Sequence, residues 1–136
     1  MTALVLDASV VLAVPLQEAN RHLAAPVLAL AVEDGAAVPG IWHLEVGNTL
    51  LLAERRGRIS AASRVAALDD LFRLPVSVDQ DTASRAWRDT LILAERHSLT
   101  LYDAAYLELS IRQSLPLATF DAALRRAAAA ANVPLL

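Results

Sequence analysis

The sequence predicts an α/β protein, a three-layer α/β/α arrangement around a short, mostly parallel central sheet. Three observations predict it. Short apolar runs (Leu4-Val5-Leu6, Ala36 to Pro39, Pro75 to Val78, Leu115 to Thr119) alternate with longer stretches of helical character. The hydrophobic content of 56% is rich in alanine, which favours helix and adds little volume, so the shell is expected to be mostly helical. The length, 136 residues, is usual for one core, and the chain reads as a single domain over 1–136.

Along the chain, residues 3–7 read as a buried strand, followed by a helix from about Ser9, which is placed to cap its first turn and is limited by Pro15. Arg21 to Asp34 is helical and closed by Gly35. After the strand Ala36 to Pro39, a helix is expected over Ile41 to Arg56, ended by Gly57, and Ser60 caps the next, to about Phe72. The strand Pro75 to Val78 leads to a helix capped by Asp79 and running through His97. Thr100 and Asp103 have capping-box-like spacing for a helix to Gln113. Leu115 to Thr119 is a strand, Asp121 caps a helix over Ala122 to Ala131, and Val133 to Leu136 reads as a last edge strand.

Composition excludes several chemistries. Cysteine is absent, which removes disulfides, thiolate zinc sites and a cysteine nucleophile. His22, His43 and His97 form no close pair, which argues against zinc. All twelve basic residues are arginine, so mechanisms that need a lysine ammonium fail, whereas phosphate contacts by arginine do not. A net charge of −3 does not mark a nucleic-acid binder in bulk, so any such contact is local. No apolar run reaches the roughly 20 residues of a membrane span. The N-terminal apolar stretch is interrupted by Asp7 with no basic residue before it, and the chain reads as cytoplasmic.

Four acids stand out. Asp7 and Asp121 end apolar strands, Asp103 opens a helix, and Glu45 lies on the apolar side of its helix, three residues after Trp42. Each has a structural explanation: Asp7 and Asp121 as helix starts, Asp103 as a dipole-favoured N3 carboxylate, Glu45 as the partner of a buried arginine. Together these explanations weaken, because neighbouring carboxylates repel and raise one another's pKa. One or two divalent cations reverse that penalty, and hard oxygen donors suit Mg²⁺ or Mn²⁺. In open parallel sheets ligands bind beyond the carboxyl ends of the strands, where Asp7 and Asp121 are expected.

Ser9, Asn48 and Thr119 neighbour these acids and are candidates to hold carboxylates or metal-bound water, with capping and surface polarity as the alternative. Glu18, Glu33, Asp34, Asp69, Asp70, Asp79, Asp81, Asp89, Glu95 and Glu108 read as solvated or paired. Arg55, Arg56 and Arg58 close the helix of Glu45, and Arg125 and Arg126 follow Asp121 by one turn. They complement helix dipoles or contact a nucleic-acid backbone. Trp42, Trp87, Phe72, Phe120, Tyr102 and Tyr106 are expected in the core or an interface.

Leu-Asp-Ala-Ser-Val-Val at 6–11, Leu-Glu-Val-Gly-Asn at 44–48, Leu-Tyr-Asp-Ala-Ala-Tyr-Leu at 101–107 and Leu-Ala-Thr-Phe-Asp at 117–121 resemble, in order and spacing, the four acidic motifs of PIN-domain ribonucleases. The resemblance is closest to VapC-type toxins of type II toxin–antitoxin systems. It implies a PIN-like α/β/α fold and Mg²⁺- or Mn²⁺-dependent cleavage of RNA. By match, Asp7, Glu45, Asp103 and Asp121 are the catalytic, metal-binding quartet, with Asp7 and Asp103 as direct ligands. It also implies a homodimer, and a cognate antitoxin whose helix lies in an apolar groove and whose basic side chain enters the acidic site. Gly47 stands where many relatives carry alanine, but the four acids are intact.

Two other strand-then-Asp families, haloacid dehalogenase phosphatases and response-regulator receivers, require a lysine that the chain lacks; the former also needs an acid at Ser9. The remaining alternatives are a PIN nuclease of RNA processing and a non-catalytic PIN-like binding module.

Overall fold

The computed structural model describes residues 2–136. Four strands, β1 (Leu4–Leu6), β2 (Ala36–Val38), β3 (Val76–Val78) and β4 (Leu117–Ala118), form one sheet in the order β3-β2-β1-β4. Every pairing is parallel, with Leu4 opposite Ala36, Leu6 opposite Ala118 and Val38 opposite Val78. β1, β2 and β4 are wholly buried, as strands covered by helices on both faces must be, and only the edge strand β3 leaves Ser77 and Val78 exposed. This is the α/β/α architecture that the apolar runs predict. The expected last edge strand is reduced to a single parallel bridge between Leu117 and Leu135.

The helices are α1 (Ala8–Leu12), α2 (Arg21–Asp34), α3 (Trp42–Arg55), α4 (Ala61–Phe72), α5 (Thr82–Arg85), α6 (Asp89–His97), α7 (Leu101–Gln113) and α8 (Ala122–Ala130). Three caps act as the sequence indicates. Ser60, Thr100 and Asp121 accept from the backbone N–H of Ser63, Asp103 and Leu124, satisfying amides that a helix start leaves free. Gly35 closes α2 with φ 83°, a conformation a side chain would strain.

Two expectations are corrected. Ser9 does not cap α1: the helix begins at Ala8, Asp7 holds the cap position, and the Ser9 hydroxyl is used elsewhere. The helix expected from Asp79 to His97 is two helices, because Arg88 leaves helical geometry (φ −119°, ψ −108°) and α6 then packs along α7. Asp79 is not its cap; Asp81 holds that position, and the Asp79 carboxylate bonds Arg112 and Thr82 instead.

The strand order fixes where a site belongs. From β1 the chain builds outward through β2 to β3, then returns across to place β4 on the other flank of β1. The reversal lies between β1 and β4, and in open sheets a ligand site belongs there, beyond the carboxyl ends of the strands. α7 packs on both strands, and the core under it is formed by Leu4, Leu6, Tyr106, Leu107 and Leu117.

Candidate active site

Asp7 is the first residue beyond β1 and is only 6% exposed. A carboxylate this buried needs hydrogen bonds, and two hydroxyls supply them to one oxygen. Ser9 Oγ donates to Asp7 Oδ2 at 2.6 Å, and Thr119 Oγ1 donates to the same atom at 2.7 Å. Each hydroxyl also accepts a backbone N–H from beyond β4: Phe120 N to Ser9 Oγ at 2.9 Å and Asp121 N to Thr119 Oγ1 at 3.0 Å. Two side chains thus tie the end of β1 to the end of β4. The parallel register, which pairs Leu6 with Ala118, brings Thr119 level with Asp7.

Glu45 projects from the first turn of α3, half-buried. Its partner is not an arginine. The hydroxyl of Tyr106, a residue buried completely in α7, donates to Glu45 Oε1 at 2.5 Å. Asp103 stands one helical turn before Tyr106, its backbone N–H held by Thr100 Oγ1 at 3.1 Å. Asp121 spends Oδ2 on the Leu124 N–H at 2.9 Å. Position 106 is the member of this group that sequence patterning misses. Its one signal is the three-residue step from Asp103 on a helix, which an apolar-face reading of tyrosine hides.

The acids are electrostatically joined. Burial is the main force raising the Asp7 carboxyl above its ordinary pKa, opposed by the Ser9 and Thr119 bonds. Burial also raises Glu45, against the pull of Tyr106, and the charges of Asp7 and Asp103 push it further. Asp103 is raised by burial, then by Asp121 and Asp7. Burial, with Asp7 and Glu45 adding to it, lifts the Tyr106 phenol far above its usual range, so it stays a donor. Among the described residues, none of the four acids forms a salt bridge.

A second acidic group, a short way along α7, is arranged differently. Glu108 is 5% exposed and takes two bonds from Arg112, Nε to Oε1 at 2.8 Å and Nη2 to Oε2 at 3.0 Å. The same guanidinium bonds Asp79 through Nη1 at 3.1 Å and Nη2 at 2.6 Å, with Asp81 at 3.7 Å and Arg85 3.7 Å from Glu108. Despite burial, these Arg112 bonds, with the Asp81 N–H and the Thr82 hydroxyl, hold the Asp79 carboxyl below its ordinary value. Asp79, Asp81 and Glu108 are paired acids, as their setting in the sequence suggests.

The other candidates scatter. Asn48 is exposed on α3 and forms no hydrogen bond with the four acids among the described residues. Arg55, Arg56 and Arg58 are exposed at the far end of α3, ten or more residues and so about 15 Å along its axis from Glu45. Arg58 meets Glu18 at 3.7 Å. Arg125 stays near, donating to the Thr119 carbonyl at 2.9 Å, and Arg126 is exposed. The expectation that the aromatics are core or interface holds for Trp42 and Tyr106, which are buried, and for half-buried Phe120. Phe72, Trp87 and Tyr102 are 88%, 85% and 62% exposed, so of the two expected places the core is ruled out for them.

The donor set fits a hard divalent cation: carboxylate oxygens that repel one another, with no salt bridge to them among the described residues. Among the described residues, no three acidic or histidine side chains are gathered as closely as a finished ligand set. An ion would therefore have to draw the carboxylates inward.

No curated protein sequence matches the chain. Among solved structures, PAE2754 from Pyrobaculum aerophilum is similar, with a TM-score of 0.69 at 24% identity over 93% of this chain and 79% of that one; the likeness is one of fold. The PIN domain family matches over residues 4–130, nearly the whole length. PIN domains are generally nucleases and typically use divalent metals. On this match, and with this arrangement of strands and acids, the chain belongs to the PIN domain family.

Proposed function

We propose that the chain acts, as one domain over 1–136, as a Mg²⁺- or Mn²⁺-dependent endoribonuclease and as the toxin of a toxin–antitoxin pair. The observation that carries the nuclease reading is the coupling of Asp7, Glu45, Asp103 and Asp121 beyond the ends of β1 and β4, where no salt bridge compensates them among the described residues. Asp7 and Asp103 would be the direct ligands of the ion, and Glu45 and Asp121 would act directly or through water. A bound ion supplies Lewis-acid polarisation of the phosphoryl oxygens and lowers the pKa of water.

The chain's own residues do the rest. Ser9 and Thr119 fix the orientation of Asp7 and oppose its protonation, leaving Oδ1 outside their two bonds. Tyr106 fixes Glu45 through Oε1, so that Oε2 is the oxygen left to take a proton from attacking water. Arg125, held against the Thr119 carbonyl two residues before Asp121, is the arginine assigned to a backbone phosphate at the site. Arg126 and the cluster Arg55, Arg56 and Arg58 are assigned to more distant backbone contacts.

The fourfold motif match to VapC-type toxins supports the toxin role, and with it a homodimer and an antitoxin partner. Labelled RNA incubated with purified protein should be cut in Mg²⁺ or Mn²⁺ and left intact in EDTA. Equal cutting by wild type and Asp7→Asn would sink the assignment. Growth arrest on expression, relieved by the product of the adjacent gene, tests the toxin role; no arrest would favour a nuclease of RNA processing. Mn²⁺ uptake unaffected by Asp7→Asn or Asp103→Asn would favour a non-catalytic binding module.

A further inference from the structure

An apolar cavity of about 470 Å³ is walled by Ile41 ahead of α3, Asp79 and Thr82 beyond β3, Thr90 of α6, and Tyr102 and Ala105 of α7. It is adjacent to the acids through the chain. Ile41 is one helical turn before Glu45, and Tyr102 immediately precedes Asp103, a Cα step of about 3.8 Å. Successive side chains on a helix are about 100° apart, so Tyr102 falls between the face that lines the cavity, Leu101 and Ala105, and the side of Asp103. A tyrosine ring 62% exposed on such a divide is available as a surface.

The walls are built. Gly40 N donates to Thr82 Oγ1 at 2.9 Å, joining the loop before α3 to the turn after β3. That turn is anchored to α7 through Asp79 and Arg112 at 2.6 Å. Because the arginine compensates Asp79, the one acid on the wall does not repel an incoming phosphodiester.

We infer that this cavity receives one unstacked base of single-stranded RNA, with Tyr102 as the stacking surface, which makes Tyr102 a specificity-determining residue for the nucleotide beside the cut. The inference rests on the nuclease reading. Single-stranded RNA is recognised by splaying bases onto aromatic rings. A phosphate bridged to Asp103 by a divalent cation would carry its base toward the adjacent ring, and the Gln80 side chain at the cavity wall offers polar atoms to a base edge.

The test separates binding from cutting. Fluorescein-labelled hexaribonucleotides, intact or carrying one abasic residue, are titrated in Ca²⁺, a hard cation for oxygen ligands, against wild-type protein and against its Tyr102→Ala and Tyr102→Phe variants, with gels confirming that the RNA stays uncut. Loss of the ring should weaken intact RNA about tenfold. Tyr102→Phe should bind like its parent, and RNA abasic at the critical position should bind all three alike. Equal affinity of the Tyr102→Ala protein for intact RNA, or the same loss for every abasic RNA, overturns the cavity assignment. Cleavage of a randomised RNA pool by wild type should show a base preference next to the cut that Tyr102→Ala flattens. Absence of wild-type cleavage with ring-dependent binding intact would remove the nuclease reading alone. A change in molecular mass on Tyr102→Ala, measured by light scattering, would make this a protein–protein surface and overturn the proposal.

Discussion

The two acidic groups are built from the same parts and reach opposite electrostatic ends. Each joins the residue that follows a strand to a carboxylate of α7: Asp7 with Asp103 in one, Asp79 with Glu108 in the other. In the second group Arg112 meets both acids and Arg85 approaches Glu108, and Asp79 is held below its ordinary pKa. In the first no arginine intervenes, and Asp7, Glu45 and Asp103 are all pushed up. An acid whose countercharge is built in serves the fold, and acids left without one are poised for a charge from outside. Sequence proximity to acids does not distinguish the two; the reach of one guanidinium does.

The largest expected effect is on cleavage. Asp103→Asn should lower kcat/KM on the order of a thousandfold, the equivalent of several kcal/mol of metal stabilisation. Glu108→Gln should leave the residual rate of folded protein near wild type. Similar losses from both would erase the distinction between the groups. Next in size is the response to cation: Mn²⁺ at about 100 times its Kd should stabilise wild type by about 2.7 kcal/mol. Thermal unfolding of Asp7→Asn should show little of that shift.

The same measurement without cation carries a pH dependence of definite sign. Acids with raised folded-state pKa bind more protons folded than unfolded, so the stability they contribute fades as pH rises from their ordinary values near 4 through the raised ones. Asp79 runs the other way: its contribution is complete above its ordinary value and is lost as pH falls through the depressed one. Denaturant midpoints across acid pH should therefore move oppositely in Asp103→Asn and Asp79→Asn proteins.

Arg112→Ala comes next, with a loss of about 2 kcal/mol in urea unfolding, reduced from the full buried-pair value by partial exposure. No loss would mean that the Arg112 bonds to Asp79 and Glu108 add nothing to stability. The smallest effect belongs to Tyr106→Phe, which keeps the packing and frees Glu45 Oε1. Cleavage should fall about tenfold with the metal-induced stabilisation mostly retained.

Much of this was legible in the sequence, for identifiable reasons. Strands covered on both faces are continuous apolar runs, so β1, β2 and β4 declare themselves, and Ser60, Thr100 and Asp121 mark helix starts because each side chain accepts the free N–H three residues on. Ser9 and Asp79 misled for the converse reason: both sit where a cap belongs, but tertiary partners more than a hundred and more than thirty residues away take their side chains. The break at Ala86 to Arg88 contains neither glycine nor proline, and nothing local announces it. The Tyr106 to Glu45 bond and the Arg112 clamp span 61 and 33 residues, distances at which periodicity says nothing.

The hydroxyl tie between β1 and β4 has a consequence for when activity can arise. Asp7 precedes Thr119, the more distant of the two hydroxyls that hold it, by 112 residues, and Thr119 follows a strand only two residues long. Contacts so distant along the chain form only after a large loop has closed. A growing polypeptide therefore carries three of its four acids without a formed centre, and the centre is completed only as the segment through Asp121 docks. Synthesis itself delays the acidic centre until the fold around it is nearly finished.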